Sequence, residues 1–265
     1  MIGDYIPLSF KSLSKNELNY LDLLNNGIDE LIQLSIKSLK TKEIQDLFHI
    51  KDGDEFKEEF KKTNLYFDLN KSMKDNSLKS IPPLKKFYKI GSKLGYESIN
   101  IRTRDWNTYD EEAFNILSDY VEDLVLNLNQ SVGIGIRNTL YDSNINDFPI
   151  SEIGLNLLKV PTMVVDRFQI NTHSTMIATT EYGRAVNTGT LQSFSNSGVK
   201  DVNIVTTGLP NVCEICIEIE SKNPYTIEEA MKLLPVHSRC ACSIMSANSL
   251  NTGYTGNPII VDLTT

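Results

Sequence analysis

The sequence has 265 residues, 40% of them hydrophobic and 23% charged, with a formal net charge of −8, a balance suited to a globular chain with a sizeable core. No apolar run reaches the roughly 18 residues of a membrane helix, and Met1–Phe10 carries Asp4 and lacks a basic segment ahead of an apolar core, so neither a membrane span nor a secretory signal is expected. Reduced cysteines, and with them metal or redox chemistry, are therefore favoured over a disulfide framework. The charge is uneven. Residues 1–104 hold 18 Lys+Arg against 15 Asp+Glu, and the remainder holds 8 against 19. Within the first part, Lys71–Arg104 carries nine basic residues against only Asp75 and Glu97, a contrast that marks a candidate interaction surface.

In chain order, Ser14-Lys15-Asn16-Glu17 has the form of a capping box, and Leu18, Leu21, Leu24, Ile28, Leu31, Ile32 and Leu39 follow at helical spacing with Gly27 as a weak point. A second, more polar helix is predicted over 54–62, with Phe56 and Phe60 as its anchors. Periodicity fades over 70–83 and Pro82-Pro83 falls there, so that stretch reads as a linker or arm. Lysines and aromatics then interleave from Lys85 to Tyr96. Lys85, Lys86, Lys89, Lys93, Arg102 and Arg104 are the candidates for contacting phosphates or an acidic partner, set against the plainer reading of a solvated helix face.

Phe114, Leu117, Val121, Leu124, Leu128, Val132, Ile136 and Leu140 recur at steps of three and four. They predict a helix of about thirty residues, roughly 45 Å if continuous. Gly133 and Gly135 weaken its last third. No G-x-x-x-x-G-K-[ST] occurs, so an ATP-driven motor is not supported. A short helix is expected over 151–158, then one over 163–186 with a break near Gly183 or Gly189. The latter carries the polar cluster Thr180, Glu181, Arg184 and Asn187, readable as a surface ion pair or as a buried network fixing the helix to its neighbour. His173 reads as a capping or packed residue. Val202–Thr207 alternates as a strand, Thr226-Ile227-Glu228-Glu229 is a second capping box whose helix Pro235 must end, Cys240–Ile244 looks extended, and 257–263 offers a terminal strand.

All four cysteines and one of three histidines fall between Cys213 and Cys242, as C-x2-C, twenty residues, then H-x2-C-x-C. Thiolates and an imidazole at this spacing suit tetrahedral zinc. The simplest ligand set is Cys213, Cys216, His237 and Cys240, with Cys242 as a substitute. In an extended strand Cys240 and Cys242 would stand about 6.6 Å apart along the chain, too far for sulfurs sharing one ion at about 2.3 Å, which leaves one of them spare unless the strand bends. A closed structural zinc site ranks ahead of free thiols or a disulfide, and both rank ahead of a catalytic zinc. The deaminase signature fails at both halves, since Ser174-Thr175 follow His173 and Pro210 lies three residues before Cys213.

Thr180-Glu181 on a helix, then Asn187, a strand, Cys213-x-x-Cys216 and Leu234-Pro235-x-His237-x-x-Cys240-x-Cys242 together resemble the C-terminal region of phage Mu protein F-like head morphogenesis proteins. The resemblance spans about Glu111 to Met245. Thr179 stands where the family often has Arg, Leu234 where it has a second proline, and Ala241 where it has Arg. It implies a minor capsid protein without enzymatic activity, associated with the portal, other head proteins and packaged double-stranded DNA. Its place would be the capsid interior or portal vertex of the virion, and the host cytoplasm during assembly.

The expectation is thus an α+β protein, predominantly helical, with a small C-terminal β element ordered by a Cys3His zinc site. Its regions are 1–105 (helical, with the basic arm 71–104), the module 106–245, and a tail 246–265. Two other classes are a zinc-stabilised nucleic-acid-binding regulator, against which the acidic balance of the module argues, and a transferase or hydrolase, for which Glu181 with Arg184 is the one candidate cluster.

Overall fold

A computed structural model describes residues 13–102, 104–165, 168–208 and 212–247. Ten helices and five short strands occur among them: α1 Lys15–Ser38, α2 Lys42–Leu47, α3 Gly53–Phe60, α4 Asn64–Lys79, α5 Ile81–Ser98, α6 Thr108–Ile145, α7 Ile150–Leu157, β1 Val164–Val165, β2 Phe168–Gln169, α8 Ile170–Asn196, β3 Asp201–Val205, α9 Glu214–Ser221, β4 Tyr225–Thr226, α10 Ile227–Leu233 and β5 Ser243–Ser246. The protein is α+β and predominantly helical, with its three-stranded antiparallel sheet near the C-terminal end. The expected strand over 257–263 lies outside the described residues.

The chain divides into two units. One comprises Leu21–Ile81 and Ser118–Ile177; the other comprises the residues up to Tyr20, Pro82–Leu117 and those from Ala178 on. Each unit draws on residues on both sides of position 105.

The first unit is helical apart from the β1–β2 pair. Apolar stripes at helical spacing supply its core: Leu24, Ile28 and Leu31 of α1, and Val121, Val125, Leu128, Val132, Ile136 and Leu140 of α6 are all buried. The weak point at Gly27 is a place of close packing, where Asn76 of α4 donates to the Gly27 carbonyl at 3.2 Å. Gly133 and Gly135 do not break α6, which runs for 38 residues. A Cβ on Gly133 would overlap the end of Met73, and one on Gly135 would lie 3.0 Å from Val160 Cγ1, so both glycines make room for neighbours.

Two expectations need correction in this part of the chain. Residues 70–83 are not a linker: α4 runs through Lys79, and α5 begins at Ile81 with Pro82 and Pro83 in its first turn. Amides there have no intrahelical acceptor in any case, so proline is tolerated. The predicted basic arm is therefore mostly the end of one helix and the whole of the next. Similarly, 163–165 and 168–169 are not helical. Val164-Val165 and Phe168-Gln169 form the β1–β2 pair, Ile170 N donates to Met163 O at 3.2 Å, and α8 starts only at Ile170.

The second unit packs α5 closely on the later part of α8. A Cβ on Gly91 would overlap the Val186 carbonyl, and one on Gly189 would overlap that of Tyr88, so the two backbones nearly touch. Thr190 Oγ1 donates to the Gly91 carbonyl across this crossing at 3.0 Å. The predicted break in α8 at Gly183 or Gly189 is absent, because Gly189 serves this contact and does not end the helix. Tyr88 is fully buried, donates to Asp110 at 3.2 Å, and stacks edgewise on Phe114 and at a tilt on Trp106.

In the sheet β3 is central, with β4 and β5 antiparallel on either side. Buried Val202 and Ile204 turn toward a cluster with Leu191, Phe194, Ala230, Leu234, Ile244 and three cysteines. The Thr226–Glu229 capping box starts α10 as the sequence predicts, with both reciprocal hydrogen bonds present. Asn223 acts as an extra rung on β3: its side chain accepts from Ile204 N and donates to Ile204 O, each at 2.8 Å.

Candidate metal centre

The site is assembled from three short stretches of the second unit. Cys213 is the N-cap of α9, and its sulfur accepts the amide of Cys216 at 3.4 Å, one turn into the helix. That amide is one of the unsatisfied donors at a helix start, so the C-x2-C spacing both caps the helix and brings two sulfurs together. His237 lies just beyond α10. Arg239 adopts a left-handed backbone (φ 62°), and the Cys240 amide returns to the His237 carbonyl at 3.1 Å, which turns the chain tightly between the two. β5 then carries the chain back alongside β3.

Two groups of donors result. The ligand atoms of Cys213, Cys216 and His237 lie within 4.8 Å of one another, as do those of Cys216, Cys240 and Cys242. Cys216 belongs to both. His237 Nε2 is 3.2 Å from the Cys213 sulfur and 3.1 Å from that of Cys216. The expectation that Cys240 and Cys242 stand too far apart is overturned. Strand β5 begins only at Ser243, and in the turn before it the Cys242 amide faces the Cys240 sulfur, so the two thiols meet.

The His237 ring is oriented for metal binding. Its Nδ1 lies 2.7 Å from the Ser238 carbonyl, which only accepts, so Nδ1 carries the proton. In the neutral ring Nε2 then presents its lone pair to the sulfurs, the outer hydrogen bond typical of a ligating imidazole.

The sulfurs differ in their electrostatics. Cys240 accepts from the Cys242 thiol; against burial, the amides of Cys242 and Val236 and the nearby His237 also favour its thiolate, bringing its pKa down to about 5. Cys213 is opposed by burial, but the Cys216 amide and thiol together with His237 hold it below its ordinary value. Burial pushes Cys216 up to about 12, helped by its hydrogen bond to Cys213. The hydrogen bond to Cys240, then burial, push Cys242 upward as well. For His237, burial works downward, yet the Ser238 carbonyl and the Cys240 and Cys213 sulfurs outweigh it and raise its pKa. The Cys240 sulfur is thus favoured as a thiolate, and Cys213, beside the imidazole, is biased toward one. Thiolate and imidazole donors gathered in this way could hold a metal ion.

The polar cluster on α8 divides into two jobs. Thr180 Oγ1 accepts the Arg239 amide at 2.9 Å, and Asn187 Nδ2 donates to the Cys242 carbonyl at 2.9 Å, so both ends of the ligand turn are pinned to one helix. Between them, a Cβ on Gly183 would stand 3.4 Å from the Cys240 carbonyl. Glu181 and Arg184 form an ion pair at 2.8 Å in which the Glu181 side chain is only 2% exposed. Burial raises the Glu181 pKa while Arg184 opposes it.

The basic candidates sit on α5 and the segment after it. Lys85 lies over the Trp106 ring at 4.6 Å and pairs with Glu111 at 3.5 Å, and Lys89 approaches the same ring at 5.3 Å. Lys93 pairs with Glu97, Lys86 reaches Asn16, and Arg104 donates to the Asn196 carbonyl. Arg102 is exposed. Lys85 is thus largely engaged within the protein, whereas Lys86, Lys89, Lys93 and Arg102 project into solvent.

Sequence reasoning missed α9, although a sulfur at an N-cap with a second one turn later is a readable signal. It also missed the Ser238 carbonyl, for which no side-chain pattern exists. Comparison with known proteins returned no match, whether to a family model, a curated protein or a solved structure.

Proposed function

We propose that this chain is a non-enzymatic structural protein whose C-terminal element is held by a zinc ion, and that it serves as a minor capsid or head morphogenesis protein of a tailed virus. The supporting observation is the convergence of the resemblance's scattered residues. Thr180 and Asn187 belong to that pattern, lie some fifty to sixty positions from Cys240 and Cys242, and hold the turn that carries those cysteines.

In this reading Cys213, Cys216, His237 and Cys240 hold the ion. Cys240 is preferred over Cys242 because the Cys242 thiol and, after it, two backbone amides favour the Cys240 thiolate against burial. Four protein donors fill a tetrahedral ion and leave no position for substrate, so its contribution is folding free energy. The portal and packaged DNA are the partners, with Lys86, Lys89, Lys93 and Arg102 as the surface for phosphate or an acidic wall. Duplex DNA binding by the full chain that falls steeply between low and moderate salt supports phosphate contacts; binding indifferent to salt contradicts them. The surroundings of the gene test the role itself. Adjacent portal and terminase genes, and the protein's presence in purified virions, are the expected result, and a locus without head genes overturns it.

A further inference from the structure

Four donors satisfy zinc, and this site offers five. Cys242 is not a stray thiol at its edge. Its sulfur lies within 4.8 Å of those of both Cys216 and Cys240, and the three cysteines are 7%, 4% and 5% exposed, so they form the inner side of the site. Cys213 and His237 are the more exposed members. The inner thiols adjoin an apolar wall that includes Leu191, Phe194, Val202, Ile204 and Ile244. The three ligand atoms of this group are all sulfur; His237 Nε2 approaches Cys216 at 3.1 Å but stands outside the group.

Resting on the metal-binding reading above, we propose that Cys216, Cys240 and Cys242 form a second, all-thiolate coordination set for a soft monovalent cation, Cu(I). The set shares Cys216 and Cys240 with the zinc set, so the two ions exclude one another. A three-coordinate ion with metal–sulfur bonds of about 2.3 Å requires sulfurs roughly 4 Å apart, within the span these atoms occupy. Thiolates suit both ions, so donor number separates them: three sulfurs alone suit a low-coordinate Cu(I), whereas the four-donor set containing His237 suits tetrahedral zinc. Each thiol that binds gives up its proton to solvent, and the copper arrives and remains as Cu(I), so no electron is transferred. The choice between ions then falls to three residues: Cys242 for copper, and Cys213 and His237 for zinc.

The test uses the full-length chain, reduced and under anaerobic conditions, titrated with Cu(I) against a chromophoric Cu(I) chelator and separately with Zn2+ against a zinc chelator. One Cu(I) per chain is expected, with Cys242→Ser weakening Cu(I) by about tenfold or more while moving Zn2+ by less than about threefold, and His237→Asn doing the reverse. X-ray absorption on the unsubstituted protein needs no variant to fold: the copper-loaded form should have a shell of sulfur alone, and the zinc-loaded form sulfur with one nitrogen. Equal loss of both metals in Cys242→Ser, loss of neither, or an imidazole in the copper shell overturns the proposal. Zinc binding without a Cys242-dependent copper site contradicts this inference alone. Failure to bind either metal contradicts the underlying reading of the site.

Discussion

In the helical unit, Leu21–Ile81 with Ser118–Ile177, shape comes from apolar stripes: α6 alone buries a residue nearly every turn from Val121 to Leu140. The other unit keeps its sheet and its two shortest late helices around a cluster in which three of the ten buried members are cysteines. Its strands have two to five residues, and such a small sheet holds its register poorly by itself. The difference shows where each unit is vulnerable. Packing volume decides in the first; in the second it is a handful of polar atoms and the Cys/His donors that could hold a metal ion.

Removing the shared ligand should break the comparison most sharply. Structural zinc contributes on the order of 10 kcal/mol to small metal-ordered elements. Cys216→Ser, or chelation of the wild type, is expected to abolish hydrogen-exchange protection in β3, β5, α9 and α10 while α2, α3, α4 and α7 retain theirs. Uniform loss across both groups would mean that the units do not differ in this way. A matching lesion in the helical unit is Leu128→Ala, where the side chain is 1% exposed. It should cost about 2–5 kcal/mol in denaturant unfolding and leave zinc stoichiometry unchanged.

Asn187→Ala sharpens the account of how α8 holds the ligand turn. The loss leaves the Cys242 carbonyl without this donor and should cost about 1–3 kcal/mol, with zinc affinity down by roughly tenfold. Wild-type affinity in that variant would reduce Asn187 to ordinary packing. The smallest effect concerns Glu181. Its folded pKa is raised by burial, against the pull of Arg184, so over the range upward from about 4.5 the folded state holds this proton more tightly than the unfolded chain. Stability from this group is therefore greatest at low pH and declines as pH rises through that window. Glu181→Gln should flatten the decline, as read from unfolding midpoints across pH; an unchanged slope would assign the dependence to other groups.

Much of this was legible in the sequence, and the reasons are local. The capping boxes at Ser14 and Thr226 and the stripe of α6 announce themselves because side-chain type and spacing carry the signal. The Cys/His cluster was legible because few other structures call for such spacing. What stayed hidden depends on distant partners. Gly133, Gly183 and Gly189 read as helix breakers, yet each lies against a neighbour far along the chain, Met73, Cys240 or Tyr88. Pro82-Pro83 read as the end of order when it marks a helix start. The meeting of Cys240 with Cys242 depends on a turn with Arg239 at positive φ, which no residue type at that position signals.

The central claim is that one metal ion, held by thiolates and His237, orders the C-terminal element. Native mass spectrometry of the freshly reduced full chain, before and after a strong chelator, tests it directly. One bound zinc is expected, lost on chelation together with the exchange protection of β3 and β5. A metal-free mass with those strands fully protected would contradict it.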